Sequence, residues 1–216
     1  MIYIATIHHE TDKFIDLQQK YYAKYTEVPY KIYCGLSHAN NQHYFDAQKE
    51  GKYPHFHFVD LNEVENQHWF RLNYLAKEIL KVEKRLHNDD IIVFTDGDAF
   101  VVAPWAVPVT DILNAEDNLV CVAISRDENP EPFLAEEFKP YPHPCFAASN
   151  LRFWENNNLQ WSLEPPHIVT AGPTLKRWYK ENNYIWMSVT RTNIYNVHPL
   201  YFGVYGDFLY HHGAGN

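Results

Sequence analysis

The sequence predicts an α/β fold, in which one domain holds a mixed, mostly parallel central sheet flanked by helices. Short β-branched runs alternate with amphipathic segments through the first half of the chain, as βαβ units require. The chain has 216 residues, of which 46% are hydrophobic, so one domain has enough apolar material for a sizeable core. We therefore expect residues 1–216 to form a single domain.

The first elements follow from residue type and periodicity. Ile2–Ile7 is a predicted strand because its apolar residues are largely β-branched. A helix follows, and Thr11 or Asp12 is the candidate for its N-cap. Two further strands are predicted over Lys31–Leu36, which Gly35 interrupts near its end, and over His55–Leu61.

A long helix and a buried strand come next. The helix is predicted from about Glu63 to Leu86, because apolar residues recur there every three or four positions. Ile91–Phe94 is a short, strongly apolar run and reads as a strand. Asp96 and Asp98 follow this strand, so they lie where the carboxyl ends of parallel strands form ligand sites.

The second half has weaker patterns. Strands are predicted over Leu119–Ile124 and over residues 145–149, with a Pro-rich acidic loop over 127–144 between them that could cover a site. A helix should start near Pro173, since proline is favoured in the first helical turn. The last 33 residues hold several short strand-like runs, which end in "FLYHHGAGN".

Charge and cysteine content limit the class of protein. The formal charge of -9, with no basic run, argues against nucleic-acid binding and against a basic membrane-binding face. No apolar run reaches membrane-spanning length, and the three cysteines are widely spaced and odd in number. These features predict a cytoplasmic, soluble protein, and the abrupt ending suggests one domain of a longer polypeptide.

Asp96 and Asp98 form the strongest chemical signal. Two adjacent carboxylates repel each other unless a positive group lies between them. Oxygen ligands at this density suit Mg²⁺ or Mn²⁺, with substrate phosphates completing the coordination shell. Gly97 between them allows a tight turn or a close approach of the backbone. The alternative interpretation is a turn whose acids only cap neighbouring backbone groups.

The segment "IIVFTDGDAFVV" resembles the metal-binding DxD segment of GT-A glycosyltransferases, which use nucleotide-sugar donors. In many of them a C-terminal His-x-x-Gly segment supplies a third ligand. "HGAG" has that spacing from His212 to Gly215, and His211 is the alternative ligand. The resemblance implies a GT-A fold, Mn²⁺ or Mg²⁺, a UDP-glucose-like donor and a carbohydrate or other hydroxyl acceptor. It places donor binding in the N-terminal half and acceptor binding in the C-terminal half.

Other segments are similar to the retaining branch that contains glycogenin and galactosyltransferases. "HWFRLNYL" resembles the aromatic-Arg-Leu helix start whose arginine contacts the donor, which implies that role for Arg71. "CFAASNLRFW" is placed like the family's sugar-pocket strand, with Ser149 in place of its glycine, and Gly172 begins a helix that could face a sugar. The resemblance also puts three residues where the first strand leads into the nucleoside site: Thr6, His8 and His9.

The chemistry agrees with this family. A leaving diphosphate gains negative charge in the transition state, and a divalent metal held by Asp98, with Asp96 beside it or on the ribose, would stabilise that charge. An inverting enzyme also needs a carboxylate base near the acceptor hydroxyl. Asp207 and Glu164 are the candidates, although nothing in their spacing singles them out.

Two alternatives stay open from sequence. A phosphohydrolase of the haloacid-dehalogenase type also has Asp-x-Asp after an apolar strand, with the first Asp as nucleophile. That motif usually lies close to the N-terminus, whereas here it starts at residue 96. The other alternative is a non-catalytic module that binds a sugar or nucleotide without turnover.

Overall fold

The description rests on a computed structural model, in which residues 1–37, 41–125, 140–163, 171–194 and 201–213 are described. Seven strands form the main sheet in the order β3-β2-β1-β4-β7-β6-β8. Their bounds are Ile2–His9 (β1), Tyr30–Ser37 (β2), Phe56–Asp60 (β3), Ile91–Asp96 (β4), Leu119–Ser125 (β6), Pro142–Asn150 (β7) and Ile185–Val189 (β8).

The sheet is mixed and mostly parallel. Strands β1 to β4 run parallel to one another, and β8 runs parallel to β6. Only β7 is antiparallel to its two neighbours, β4 and β6. This arrangement confirms the predicted fold class, because the alternating strand and helix pattern had indicated such a sheet.

Helices cover both faces of this sheet and divide the core into two layers. One layer contains residues of α1 (Ile15–Tyr25), α2 (Gln42–Lys49) and α4 (Ala106–Leu113). The other contains residues of α3 (His68–Val82), α5 (Leu151–Asn156) and α6 (Gly172–Glu181). Both faces are therefore apolar, which explains why β1, β4 and β6 read as continuous hydrophobic runs.

A small antiparallel sheet lies beside the main one, in the order β5-β10-β9. Its strands are β5 (Ala99–Val101), β9 (Gly203–Tyr205) and β10 (Leu209–His211). β5 follows β4 after only two residues, so this sheet joins the C-terminal part of the chain to the Asp96–Asp98 turn. This pairing links segments more than one hundred residues apart and was not predicted.

The predicted helix from Glu63 to Leu86 is too long at both ends, because α3 is limited to His68–Val82. The residues expected to form its first turn are irregular instead. The carbonyls of Leu61 and Val64, in the segment before α3, accept hydrogen bonds from the Arg71 guanidinium. At the other end, Glu83 leaves the helix, and its carboxylate contacts Lys31 and Tyr33. Tertiary partners of two side chains thus override helical periodicity.

Other local expectations also changed. α1 begins after Phe14 and has no side-chain cap, so neither Thr11 nor Asp12 is its N-cap. Helices α2, α4 and α5 were not predicted, since each has only six to eight residues. The predicted loop over 127–144 lies largely outside the described residues, and its last part belongs to β7.

Candidate active site

Asp96 lies at the carboxyl end of β4, in the middle of the sheet. Its parallel neighbour at this level is Ile7 of β1. Ile91–Phe94 are buried between the two core layers, so β4 is held in place and presents Asp96 at the carboxyl ends of the parallel strands. This is the edge where open α/β sheets bind ligands.

Gly97 lets the turn after β4 pack directly against β1. A Cβ atom at this position would lie 2.2 Å from the Ile7 carbonyl oxygen and 3.2 Å from Nδ1 of His8. Any larger residue would push the turn away from the sheet. The sequence predicted a tight turn or a close approach to a ligand here, and the structure shows that the close neighbour is the backbone of β1.

The small sheet brings the chain's C-terminal part onto the same turn. In the β5–β10 ladder, His211 pairs with Ala99. The backbone N–H of His212 donates to the Asp98 carbonyl at 3.1 Å, and that of Gly213 donates to Asp98 Oδ2 at 3.1 Å. Asp98 is thus fixed from both its backbone and its side chain.

Asp96, Asp98 and His211 converge on one point. His211 Nε2 lies 3.3 Å from Asp96 Oδ2 and 3.3 Å from Asp98 Oδ1. One ligand atom from each of the three residues falls within 4.8 Å of the others. The His211 side chain is only 5% exposed, whereas the two carboxylates are 19% and 24% exposed and face solvent. Two oxygens and one imidazole nitrogen form a donor set that could hold a divalent metal ion.

The electrostatics of this group show strong mutual stabilisation. Burial alone would lower the pKa of His211, but hydrogen bonds to Asp96 and Asp98 raise that pKa to about 9. Burial would raise the pKa of Asp96, yet His211 and His68 hold it well below its ordinary value. A protonated imidazole therefore occupies the position between the two carboxylates, which is where a divalent cation would neutralise them.

Of the two adjacent histidines, His211 rather than His212 faces the two acids. Spacing from Gly215 had favoured His212, but Gly215 lies outside the described residues. The His212 ring instead has aromatic neighbours. Its Nδ1 lies 3.1 Å from the Tyr210 hydroxyl, and its ring packs between Phe14 and Phe202.

His68 is a site residue that the sequence analysis missed. It is the first residue of α3, and its Nε2 lies 3.2 Å from Asp96 Oδ1. Its side chain is 46% exposed, so it can move towards a ligand. A lone histidine at a helix start carries no sequence signal, and only the packing of α3 against β1 brings it to Asp96.

A second group of possible ligands shares Asp96. It combines this carboxylate with His143 and Cys145 of β7, whose ligand atoms also lie within 4.8 Å of one another. Nδ1 of His143 accepts a hydrogen bond from the Cys145 backbone N–H at 3.1 Å. That bond engages the Nδ1 lone pair, which weakens His143 as a metal ligand through this atom. Neither residue was predicted.

The expected donor contacts fall into two groups. Thr6 and His8 are buried and contact the Gln18 side chain, so they lie behind the Asp96–Asp98 turn and not in an open cleft. His9 and Arg71 line an open cleft of about 710 Å³, with Arg71 Nη1 lying 3.3 Å from His9 Nδ1. Burial lowers the pKa of Arg71, which stays cationic over the physiological range.

Two of the other predicted residues, Ser149 and Asp207, are not brought to this site. Ser149 pairs with Ile92, near the opposite end of β4, and its hydroxyl donates to the Val120 carbonyl. Gly172 packs against the Pro142 carbonyl, where a Cβ atom would lie 2.0 Å away. Asp207 has a φ of +59° and occupies the exposed β9–β10 turn. Glu164 lies outside the described residues.

A second cleft, of about 320 Å³, lies next to Asp98. Its walls include the rings of Phe14, Phe202 and His212, together with Lys13 and Gly213, whose N–H binds the Asp98 carboxylate. Phe202 is 49% exposed and has a φ of +53°, a conformation that bulky residues rarely adopt. The metal-type group therefore lies beside an aromatic cleft.

Comparison with solved structures identifies the fold. The mannosyltransferase PcManGT from Pyrobaculum calidifontis, in complex with GDP-Man and Mn²⁺, matches with a TM-score of 0.59 over 87% of this chain. S. aureus TarS in complex with UDP-GlcNAc matches with a TM-score of 0.56 over 92%. The fold of this chain is GT-A-like. The sequence identities are 12% and 13%, so the likeness concerns the fold alone.

Two comparisons of the sequence found no match. No protein-family model matches it. No curated protein sequence matches it either. The chain spans 54% of the length of the mannosyltransferase chain and 60% of that of TarS. Among the residues that the structure describes, no helix is long and apolar enough to cross a membrane.

Proposed function

We propose that this protein is a metal-dependent glycosyltransferase that transfers a hexose from a nucleotide-sugar donor to a hydroxyl acceptor. The observation that carries the proposal is the convergence of Asp96, Asp98 and His211 at the carboxyl edge of a GT-A-like sheet. The two solved structures compared above contain nucleotide-sugars, and one contains Mn²⁺.

The three side chains fit a divalent cation. Both carboxylates face His211, whose one positive charge compensates their combined charge only in part, and the second imidazole near Asp96, that of His68, is half exposed to solvent. A divalent cation bound there would supply charge stabilisation for a diphosphate leaving group. Oxygen and imidazole donors favour Mn²⁺ over Ca²⁺, and Mg²⁺ is the alternative.

The two clefts lie beside the group of Asp96, Asp98 and His211, and we assign a different part of the nucleotide-sugar to each cleft. The aromatic cleft is the proposed base pocket, since bases stack on ring faces such as that of Phe14. The cleft with His9 and Arg71 would take the sugar and its phosphate, where the guanidinium donates to oxygen atoms. In the reaction the acceptor hydroxyl attacks the anomeric carbon, the nucleoside diphosphate leaves with the electron pair of the broken C–O bond, and the hydroxyl proton passes to the departing diphosphate or to water.

Direct binding and turnover test this proposal. The protein is titrated with UDP-glucose, UDP-GlcNAc and GDP-mannose, with and without Mn²⁺, by calorimetry, and free nucleotide is followed over hours. We expect donor binding only with Mn²⁺ and slow release of nucleotide. Phosphate release from a simple phosphomonoester without donor binding would instead establish a phosphohydrolase. Tight donor binding without release on any acceptor would establish a non-catalytic module.

The base pocket has its own test. Phe14→Ala removes a ring of the aromatic cleft, and we expect it to weaken UDP binding by about 1–3 kcal/mol. Mn²⁺ binding by the same variant should not change, because Phe14 does not touch the acids. The matched control is Phe153→Ala on α5. It removes a ring that packs with Trp178 and Tyr184, away from both clefts. Equal UDP affinity in Phe14→Ala and wild type would rule out this pocket.

A further inference from the structure

One buried side-chain amide contacts the Asp96–Asp98 turn from beneath. Gln18 lies on α1 and is fully buried. Its Nε2 atom is 3.2 Å from the Asp96 carbonyl oxygen, 3.3 Å from that of Gly97 and 2.9 Å from that of Ala99. A single amide group thus contacts three of the four carbonyls from Asp96 to Ala99.

These carbonyls need a donor because the turn leaves the main sheet. β4 pairs with β1 and β7, whereas β5 pairs with β10, so no ladder connects β4 with β5 in the part of the chain that the structure describes. A carbonyl that loses contact with water and gains no hydrogen-bond donor destabilises the fold. The Gln18 amide supplies the hydrogen-bond donors that sheet pairing would otherwise provide.

The orientation of the amide is also fixed. Its Oε1 atom lies 3.0 Å from Nε2 of His8, which can donate to it. Nε2 of Gln18 also lies 3.3 Å from the hydroxyl oxygen of Thr6. A flipped amide would point Oε1 at three carbonyl oxygens, which is repulsive. His8 and Thr6, two donor-site candidates from sequence, therefore orient Gln18.

We infer that Gln18 is a positioning residue for the metal ligands, because it sets the path of the backbone that carries both Asp96 and Asp98. The inference rests on the proposed function, which gives these carboxylates their role. Gln18 itself is buried and touches neither substrate nor cation. Its effect passes through the backbone, since the Asp96 carbonyl belongs to one of the two acids and the Gly97 and Ala99 carbonyls lie on either side of the other, Asp98.

The chain offers a matched control. Asn73 is another buried amide that binds distant backbone, since it accepts from Trp161 N–H at 2.8 Å and donates to the Trp161 carbonyl. It lies on α3, facing the core layer on the other side of the sheet from α1. Loss of either amide should lower thermal stability, but only loss of Gln18 should disturb the metal ligands.

The experiment measures Mn²⁺ affinity by electron paramagnetic resonance, in which bound Mn²⁺ loses its sharp free-ion signal. The variants are Gln18→Met, which keeps the length without the amide, Gln18→Asn, which shortens it by one methylene, and Asn73→Leu. We expect the two Gln18 variants to bind Mn²⁺ about 10- to 100-fold more weakly, the range for residues that support a metal ligand. Asn73→Leu should bind as wild type does.

The outcomes separate the inference from the proposed function. A Gln18 variant whose near-ultraviolet circular dichroism matches wild type, and whose Mn²⁺ affinity lies within twofold of it, would overturn the inference. The milder Gln18→Asn variant provides this test if Gln18→Met does not fold. Weak Mn²⁺ binding by Asn73→Leu as well would also overturn it, because the effect would then follow from general destabilisation. A wild-type protein that binds no Mn²⁺ would instead refute the proposed function.

Discussion

Acidic side chains lie at both ends of the central strands, but their surroundings differ. Near the amino end of β2, Glu83 Oε1 lies 2.7 Å from Lys31 Nζ and 2.6 Å from the Tyr33 hydroxyl. At the carboxyl end of β4, Asp96 and Asp98 both face the single imidazole of His211. At one end a single carboxylate contacts a lysine and a tyrosine, whereas at the other two carboxylates share the His211 imidazole, and Asp96 also lies 3.2 Å from the partly exposed His68.

This difference separates an acid that serves stability from acids that can serve binding. Burial would raise the pKa of Glu83, but Lys31 and Tyr33 hold it below its ordinary value, so the pair stabilises the folded state near neutral pH. At the other end the charge is only partly compensated, and the carboxylates keep access to solvent. Four predictions test this distinction, from the largest expected effect to the smallest.

Substitution of Asp98 should have the largest effect. Asp98→Asn keeps the shape and an oxygen that can accept from Gly213, but removes the charge. We expect Mn²⁺ affinity to fall by more than about 100-fold, beyond the range for groups that only support a ligand. Calorimetric titration with MnCl₂ measures the change. Unchanged Mn²⁺ affinity in the folded variant would remove Asp98 from the proposed site.

Substitutions of the two adjacent histidines should have the next largest effect and should differ from each other in Mn²⁺ affinity. His211→Ala removes an imidazole that lies between the acids, and we expect Mn²⁺ affinity to fall roughly 10- to 100-fold. His212→Ala removes a ring of the aromatic cleft and should leave Mn²⁺ affinity within about twofold of wild type while weakening UDP binding. The same titrations compare both variants. The reverse order of Mn²⁺ affinities would assign the ligand to His212 instead.

Mn²⁺ binding should also depend on pH. The pKa of His211 in the metal-free protein is raised to about 9, so its imidazole is protonated at neutral pH and the cation must displace that proton. Affinity should therefore rise with pH, by about tenfold between pH 7 and pH 8, and level off above the pKa. His211→Ala provides the control, since its slope should be much shallower. A wild-type affinity equal at the two pH values would contradict this prediction.

The smallest effect on Mn²⁺ is expected at the opposite end of the sheet. Glu83→Gln removes the charge that faces Lys31 but keeps the side chain's length. Unfolding by urea should show a loss of about 1–2 kcal/mol near neutral pH. That loss should shrink as the pH falls through the folded-state pKa of Glu83, because the wild-type carboxylate is then protonated as well. Mn²⁺ affinity should stay as in wild type, and a fall comparable to that of Asp98→Asn would erase the distinction between the two ends.

The sequence predicted the main-sheet strands well, because both core layers impose apolar residues on them. It also placed Asp96 and Asp98 at a strand end and identified Gly97 as the residue of a close approach. Short helices such as α2 and α4 were not predicted, since eight residues give too little periodicity. The predicted ends of the helix that became α3 were wrong, because the side chains of Arg71 and Glu83 bind partners outside the helix.

Around the acids, local sequence could indicate the residue types but not their partners. His68 and His143 carry no motif, and they reach Asp96 only through the packing of α3 and the antiparallel course of β7. Ser149 and Asp207 occupied suggestive sequence positions, yet strand register places one near the opposite end of β4 and the other in a hairpin turn.

The sequence by itself determined an α/β domain with two carboxylates after a buried strand, because hydrophobic periodicity and residue type act over a few neighbours. Only the tertiary structure decided that His211 faces those carboxylates and that Gln18 contacts the turn between them. Both contacts join segments about 80 to 115 positions apart. Such contacts depend on strand register and helix packing, which are set by the whole core and leave no local pattern in the chain.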